Sequence, residues 1–333
     1  MDKNKSIDKH STYQKPDKDV WTGRKTDPKK APQYWYQTIQ CVDLKADLSI
    51  DQDSKQKFAL LGYVCDEGVR RNQGRVGAAA GPAALRSALA KVALHFDKKS
   101  IFDVGNVVCI DNHLEACQKR FNKVISTLLS KNIKPIAIGG GHDIAFAHFN
   151  GIFDHVQGTT NSTIGIINFD AHFDLRPVEH NGNSGTPFHQ INHLLKEKNL
   201  PFHYCIVGIQ PQSNTKELFD IARQNNVEHI LYSDCLMSNI SGIKNQLNDF
   251  ISKIDHLYIT VDMDGFSSAY AAGVSAPSPL GFDPLFFFAI FEHLLKSKKV
   301  ISIDIAELNP TYDRDGQTAN LASKIVDFAV CNW

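Results

Sequence analysis

The sequence predicts an α/β fold built on a mostly parallel sheet, and two observations carry that prediction. From about residue 57 onward, short apolar, β-prone runs alternate with amphipathic helical patterns. Acidic residues and histidines then gather just where three of those runs end. Strand alternating with helix implies right-handed crossovers and a sheet covered by helices on both faces. A chain of 333 residues with 42% hydrophobic content can bury a large core. The expected organisation is an N-terminal extension over 1–55 and one main domain over 56–333.

Residues 1 to about 20 are rich in Lys, Asp, Ser and Gln and are expected to stay mobile until docked. Trp21, Tyr34, Trp35 and Tyr36 then offer aromatic anchors against the main body. Strands are expected near 58–64, 103–109, 134–138, 164–169, 204–209, 228–232, 257–261 and 299–305, where apolar and β-branched residues run together. Helical periodicity falls at 82–94, with a proline near its first turn, and at 113–129, 144–153, 215–224, 240–254 and 284–295. No internal repeat is present. A closed barrel and an open doubly wound sheet share this alternation, and both place active residues at the carboxyl ends of strands.

Composition narrows the partners. Thirty-six basic residues balance thirty-six acidic ones, so no global field draws the chain to nucleic acid or to an acidic membrane. No apolar run approaches the roughly 20 residues of a membrane span. A soluble, cytoplasmic protein with a small-molecule partner is expected. The seven cysteines show no CxxC spacing, which argues against a disulfide framework and against a thiolate metal site.

Three stretches carry the chemistry: GGGHD at 139–143, NFDAHFD at 168–174 and TVDMDGF at 260–266. In the second, Asp170, His172 and Asp174 stand at i, i+2 and i+4, which a strand-like backbone projects to one side. Asp262 and Asp264 repeat the spacing, with Gly265 permitting a turn. His142 follows three glycines that allow close backbone approach. Taken singly, each has an ordinary alternative: a loop histidine, an Asp143 helix cap, a pair of turn aspartates. Together, four carboxylates converging in a partly buried site require compensating cations, and two divalent ions match their charge. Mixed carboxylate and imidazole ligands suit Mn2+, or iron or cobalt in its place.

On these stretches, and on VWTGRKTD at 20–27, GVRRNQGRVGAAAGP at 68–82, SGTPFHQ at 184–190 and SIDIAELNP at 302–310, the chain resembles the ureohydrolase superfamily of arginases, agmatinases and formimidoylglutamases. It is most similar to the formimidoylglutamase branch. The resemblance implies a three-layer α/β/α sandwich with a mostly parallel, doubly wound sheet of about eight strands, which decides against the barrel. It implies two manganese ions per subunit: one held by His142, Asp170, Asp174 and Asp262, the other by His172, Asp170, Asp262 and Asp264. Glu307 would orient the substrate amidinium, with Asp304 orienting a ligand from behind. Asp264 would relay a proton. Where arginases and agmatinases carry a histidine before GxP, this chain has Ser184. His180, His189 and His193 are the nearby candidates to move protons in its place. Asp143 stands where the branch more often has glutamate.

Arg176, two places after Asp174, favours a substrate with carboxylates, because its planar fork binds them bidentately. Arg75, Asn72, Ser184 and, more weakly, Asn214 complete the expected substrate contacts. The implied reaction is hydrolysis of N-formimino-L-glutamate to L-glutamate and formamide, in histidine degradation, by a homo-oligomer. The competing readings are a guanidino hydrolase and a catalytically silent metal-binding homologue.

Overall fold

The structure, a computed structural model, describes residues 11–45, 56–159 and 162–333. The expected mobility of residues 1–10 lies outside the described residues. Among the described residues ten strands occur in chain order: β1 Ser11–Gln14, β2 Gln40–Cys41, β3 Gln56–Val64, β4 Lys99–Cys109, β5 Lys134–Ile138, β6 Ile164–Phe169, β7 His203–Ile209, β8 Glu228–Leu231, β9 His256–Asp262 and β10 Val300–Ala306. The helices are α1 Glu67–Arg71, α2 Gly81–Leu89, α3 Leu114–Ser130, α4 Ile144–Thr159, α5 Pro187–Glu197, α6 Lys216–Gln224, α7 Ile240–Ser252, α8 Pro284–Lys296 and α9 Gln317–Asn332.

One sheet runs β1-β4-β3-β5-β10-β9-β6-β7-β8, with β2 also on β4. Every pairing is parallel except β1 with β4. The sheet is open, as the resemblance implied. Its central strands are buried almost throughout, because helices cover both faces. Alternate residues of one strand enter opposite cores: Phe58 and Leu60 of β3 join one, while Ala59, Leu61 and Tyr63 join the other. Helices α2, α7, α8 and α9 pack on the first face and α3, α4, α5 and α6 on the second, giving three layers.

All eight strands expected from sequence form. Two helices were not anticipated beyond the short α1. In α9 the buried face mixes Ile325, Val326 and Val330 with Ala319, Ala322, Ala329, Thr318 and Ser323, so small and polar residues blur the hydrophobic period. In α5 the signal was present, with Pro187 opening the first turn and Phe188, Ile191 and Leu195 at helical spacing.

At its described end the extension is docked on the main body. Ser11–Gln14 adds an antiparallel strand to the sheet edge. The indole of Trp21 donates to Asp103 Oδ2 at 2.9 Å, and Arg86 donates to the other oxygen of that buried carboxylate at 2.8 Å. Trp35 is fully buried, its Nε1 donating to Asp327 at 2.7 Å. These anchors hold residues 11–45 against the main body.

Candidate metal centre

Four adjacent central strands, β5, β10, β9 and β6, end on one side of the sheet, and the site is assembled from the residues just beyond those ends. The chain reaches β10 and β9 only late, so they insert between β5 and β6 and bring residues from three parts of the sequence together. After β5, Gly139 and Gly140 adopt positive φ (59° and 80°), and a Cβ on Gly140 would lie 2.4 Å from the Cys65 carbonyl. Only glycine permits that approach. The run swings His142 over the strand ends, and the backbone N–H of His142 donates to Glu307 Oε1 at 2.9 Å. Glu307, itself at φ 63°, donates its N–H to Gly140 O at 2.9 Å.

Residues 170–174 are loop rather than strand, since β6 stops at Phe169 and Asp174 takes φ 48°. The expected one-sided projection is achieved by other means. Ala171 and Phe173 are pulled into the core, Asn214 Nδ2 donates to Ala171 O, and Asn214 Oδ1 accepts from Phe173 N. That leaves Asp170, His172 and Asp174 facing the site. Asp262 closes β9, and a 3-10 turn over Met263–Gly265 presents Asp264.

His142 Nδ1 lies 3.0 Å from Asp170 Oδ2, 2.9 Å from Asp174 Oδ2 and 3.1 Å from Asp262 Oδ2, yet is hydrogen-bonded to none of them. His172 Nδ1 lies 3.2 Å from Asp264 Oδ2 and 3.5 Å from Asp170 Oδ1. Two groups of potential ligands result: His142, Asp170, Asp174 and Asp262, and Asp170, His172 and Asp264. Asp170 is common to both. Asp262 falls in the first group, and its Oδ1 accepts from the Asp264 N–H at 2.8 Å.

The side chains alone balance their charge with protons. Burial lowers the pKa of His142 and His172, but the surrounding aspartates outweigh it and hold both well above the usual imidazole range. Burial would raise Asp170, but the two imidazoles hold its carboxyl below the ordinary value. Asp174 is pushed up to about 6 by burial and by Asp170. Burial and Asp262 raise Asp264, and burial with Asp262 and Asp264 raises Glu307. Asp264 Oδ1 and Glu307 Oε2 are buried without hydrogen-bond partners. Converging lone pairs, excess protons and orphaned oxygens are what a cation-binding site shows before its cations are counted. The residues fit a pair of divalent ions.

Behind the ligands lies a buried network that sequence reasoning reached only at Asp304. Thr260 Oγ1 sits 3.0 Å from His142 Nε2 and donates to Asp304 Oδ1 at 2.5 Å. Asp304 also accepts from Tyr258 and contacts His148 Nδ1 at 2.6 Å, and His148 Nε2 contacts Ser302 Oγ at 2.6 Å. Asn168 Nδ2 holds Asp170 Oδ2 at 2.9 Å and also reaches Tyr204 OH. Thr260, Ser302 and Asn168 are polar residues inside otherwise apolar buried strands, a signal legible in sequence because buried polar groups require partners.

A cavity of about 320 Å³ lies over the ligands, lined by His142, His172, Asp174, Asp262, Asp264 and Glu307 and also by Asn72, Arg75, Arg176 and Ser184. Arg176 Nη1 donates to Asn72 Oδ1 at 2.9 Å, and Asn72 Nδ2 donates to Ser184 Oγ at 3.1 Å. A wider opening of about 780 Å³ shares Asn72 and Arg176 and reaches His180. Arg75 borders the cavity, but its Nε and one Nη are spent on the carbonyls of Ser275 and Val274, and its guanidinium lies 3.9 Å over Tyr312. Asn214 must be reassigned: it is buried away from the cavity, its Nδ2 donating to Ala171 O and Gln210 O and its Oδ1 accepting from Phe173 N. Neither His189 nor His193 lines the cavity, and His193 faces Glu197 on the surface of α5. Asp143 does not cap α4 through Oδ2, which accepts from Tyr63 OH at 2.8 Å.

The sequence profile of the family described as "Arginase family" matches residues 56–331. Over 319 residues the chain is 40% identical to a formimidoylglutamase of Clostridium tetani (strain Massachusetts / E88), covering 94% of each. It is 39% identical over 322 residues to that of Legionella pneumophila subsp. pneumophila (strain Philadelphia 1 / ATCC 33152 / DSM 7513), covering 96% of this chain and 98% of the relative. The fold matches the crystal structure of formimidoylglutamase from Bacillus subtilis subsp. subtilis str. 168 with a TM-score of 0.78 at 22% identity, over 92% of this chain and 94% of that one. Trypanosoma cruzi formiminoglutamase with Mn2+ matches with a TM-score of 0.73 at 24% identity, over 86% and 96%. Near-complete coverage at this identity, on the same layered sheet, makes the chain a member of the arginase family.

Proposed function

We propose that the protein hydrolyses N-formimino-L-glutamate to L-glutamate and formamide, using two manganese ions per chain. The observation that carries this reading is the make-up of one cavity, which joins a carboxylate with a free buried oxygen, Glu307, to an oriented guanidinium, Arg176. A linear amidine with two carboxylates at its far end is complementary to both. The relatives named formimidoylglutamase, similar over nearly the whole chain, support the same substrate.

His142, Asp170, Asp174 and Asp262 would hold one ion, and Asp170, His172 and Asp264 the other. When bound, such a pair acidifies water and stabilises charge developing on the reacting centre. The chain's own residues supply position and protons. Glu307 has Oε1 fixed by the His142 N–H, so Oε2 is presented to accept from the amidinium. Asp264, whose Oδ1 is buried without a hydrogen-bond partner, can relay a proton through that oxygen to the departing glutamate nitrogen. Arg176, steadied by Asn72, pairs with a substrate carboxylate, and Ser184 fixes the other end of the Asn72 amide.

No helix among the described residues is long and apolar enough to cross a membrane. A cytoplasmic homo-oligomer acting in histidine degradation is the setting that goes with this chemistry in the family. The test is direct: the purified protein with Mn2+ releases formamide from formimino-glutamate. Faster urea release from arginine or agmatine would overturn the substrate assignment.

A further inference from the structure

The cysteines depart from what their spacing suggested. Cys65 follows β3, Cys109 ends β4 and Cys117 lies in the first turns of α3, and their sulfurs all fall within 4.8 Å of one another. Cys65 and Cys117 are buried, while Cys109 is half-buried and opens the cluster toward solvent. The pairing is built into the sheet: Val64 stands opposite Val108 in the parallel register of β3 and β4, which places Cys65 beside Cys109. Helix α3 then brings Cys117 over the pair.

Buried apolar packing accounts for one or two thiols, but not for three whose sulfurs converge on a point from separate elements. Ligation of one ion by three thiolates needs metal–sulfur bonds of about 2.3 Å, which sets the sulfurs roughly 4 Å apart. The cluster is within about 1 Å of that geometry. Burial raises the pKa of Cys117, while hydrogen bonds from Cys117 and Cys65 lower that of Cys109. Glu67 adds negative potential, which opposes a bare thiolate and favours a cation.

We propose that Cys65, Cys109 and Cys117 form a second metal site, a three-thiolate pocket for a soft, thiophilic cation, separate from the hard-ligand carboxylate centre. Binding displaces the remaining thiol protons and involves no electron transfer. The two sites are neighbours through the backbone, since the Cys65 carbonyl accepts from Gly141 N–H at 3.1 Å, one residue before His142. Soft and hard ligand sets keep their metals apart by chemistry rather than by distance.

Titration of the manganese-loaded full-length protein with Cd2+, under reducing conditions, tests this. Cadmium bound by thiolates gives an ultraviolet charge-transfer band that oxygen and nitrogen ligands do not, so exchange at the carboxylate centre is silent. A band saturating at a single equivalent is expected, lost in Cys109→Ser and Cys117→Ser and kept in Cys235→Ser and Cys331→Ser. Cys109→Ser, at a half-buried position, guards against loss through misfolding, and circular dichroism checks each variant. No band in the wild type, a band surviving in both cluster variants, or equal loss in the control variants would overturn the proposal.

Discussion

Thr260→Val removes a hydroxyl while keeping shape, and it probes whether the network behind His142 tunes the metal centre. A histidine that ligates through Nδ1 must carry its proton on Nε2, and the only partner shown for that nitrogen is Thr260 Oγ1 at 3.0 Å. Both residues are buried, so valine leaves the N–H without an acceptor, which costs about 1–3 kcal/mol. Because the cost falls on the ligating tautomer, Mn2+ binding at that position should weaken about 5- to 150-fold. Outer-shell partners of metal-bound histidines generally contribute about 10–100-fold, which agrees. Asp304 keeps Tyr258 and His148, so the fold should survive. The assay is free Mn2+ by electron paramagnetic resonance, with urea unfolding of the metal-free protein alongside. Thr260→Ser should restore affinity. If valine binds manganese like wild type, or serine behaves like valine, the hydroxyl does not orient His142 and the reasoning fails.

Other expectations follow from the same geometry. Arg176→Ala should raise KM about 10–100-fold with little change in kcat or manganese content, as loss of a charge-assisted bond of about 1.5–3 kcal/mol implies; a fall in kcat at constant KM would move Arg176 out of the binding role. Manganese affinity should fall as pH falls, first through the raised range of the two imidazoles and again through about 6, where Asp174 takes up its proton, because the metal must displace those protons. For Asp174 the sign is that its proton stays on until pH rises through the folded value, so binding strengthens upward; isothermal titration in two buffers of different ionisation enthalpy should show proton release, and none would contradict the charge balance. Trp21→Phe should cost about 1–3 kcal/mol in urea unfolding, since the fully buried Asp103 loses one of its donors; an unchanged midpoint would mean that the extension is not anchored there.

Several parts of the molecule were readable before any coordinates. The eight core strands announced themselves because buried parallel strands need continuous apolar runs, and the helices with mixed apolar and polar faces did so by period. The buried face of α9 hid its helix, since Thr318, Ser323 and three alanines interrupt its larger apolar residues and leave a weak pattern. The candidate metal ligands were visible because carboxylates and imidazoles at strand ends have few other reasons to cluster. Asn214 was misread for an instructive reason: a polar residue after a strand looks the same in sequence whether it faces a cavity or clamps a backbone. Only the position of Ala171 and Phe173 tells the two apart.

By itself the sequence determined the layered α/β class and the six residues able to bind metal, because local periodicity and ligand chemistry are properties of short segments. Tertiary structure alone decided what those segments meet. It set β10 and β9 between β5 and β6, made Asp170 common to both ligand groups and turned Asp262 toward the Asp264 amide. It also brought together three cysteines separated by 44 and 8 positions. Such meetings depend on strand order and register, which arise from long-range packing and leave no periodic trace along the chain.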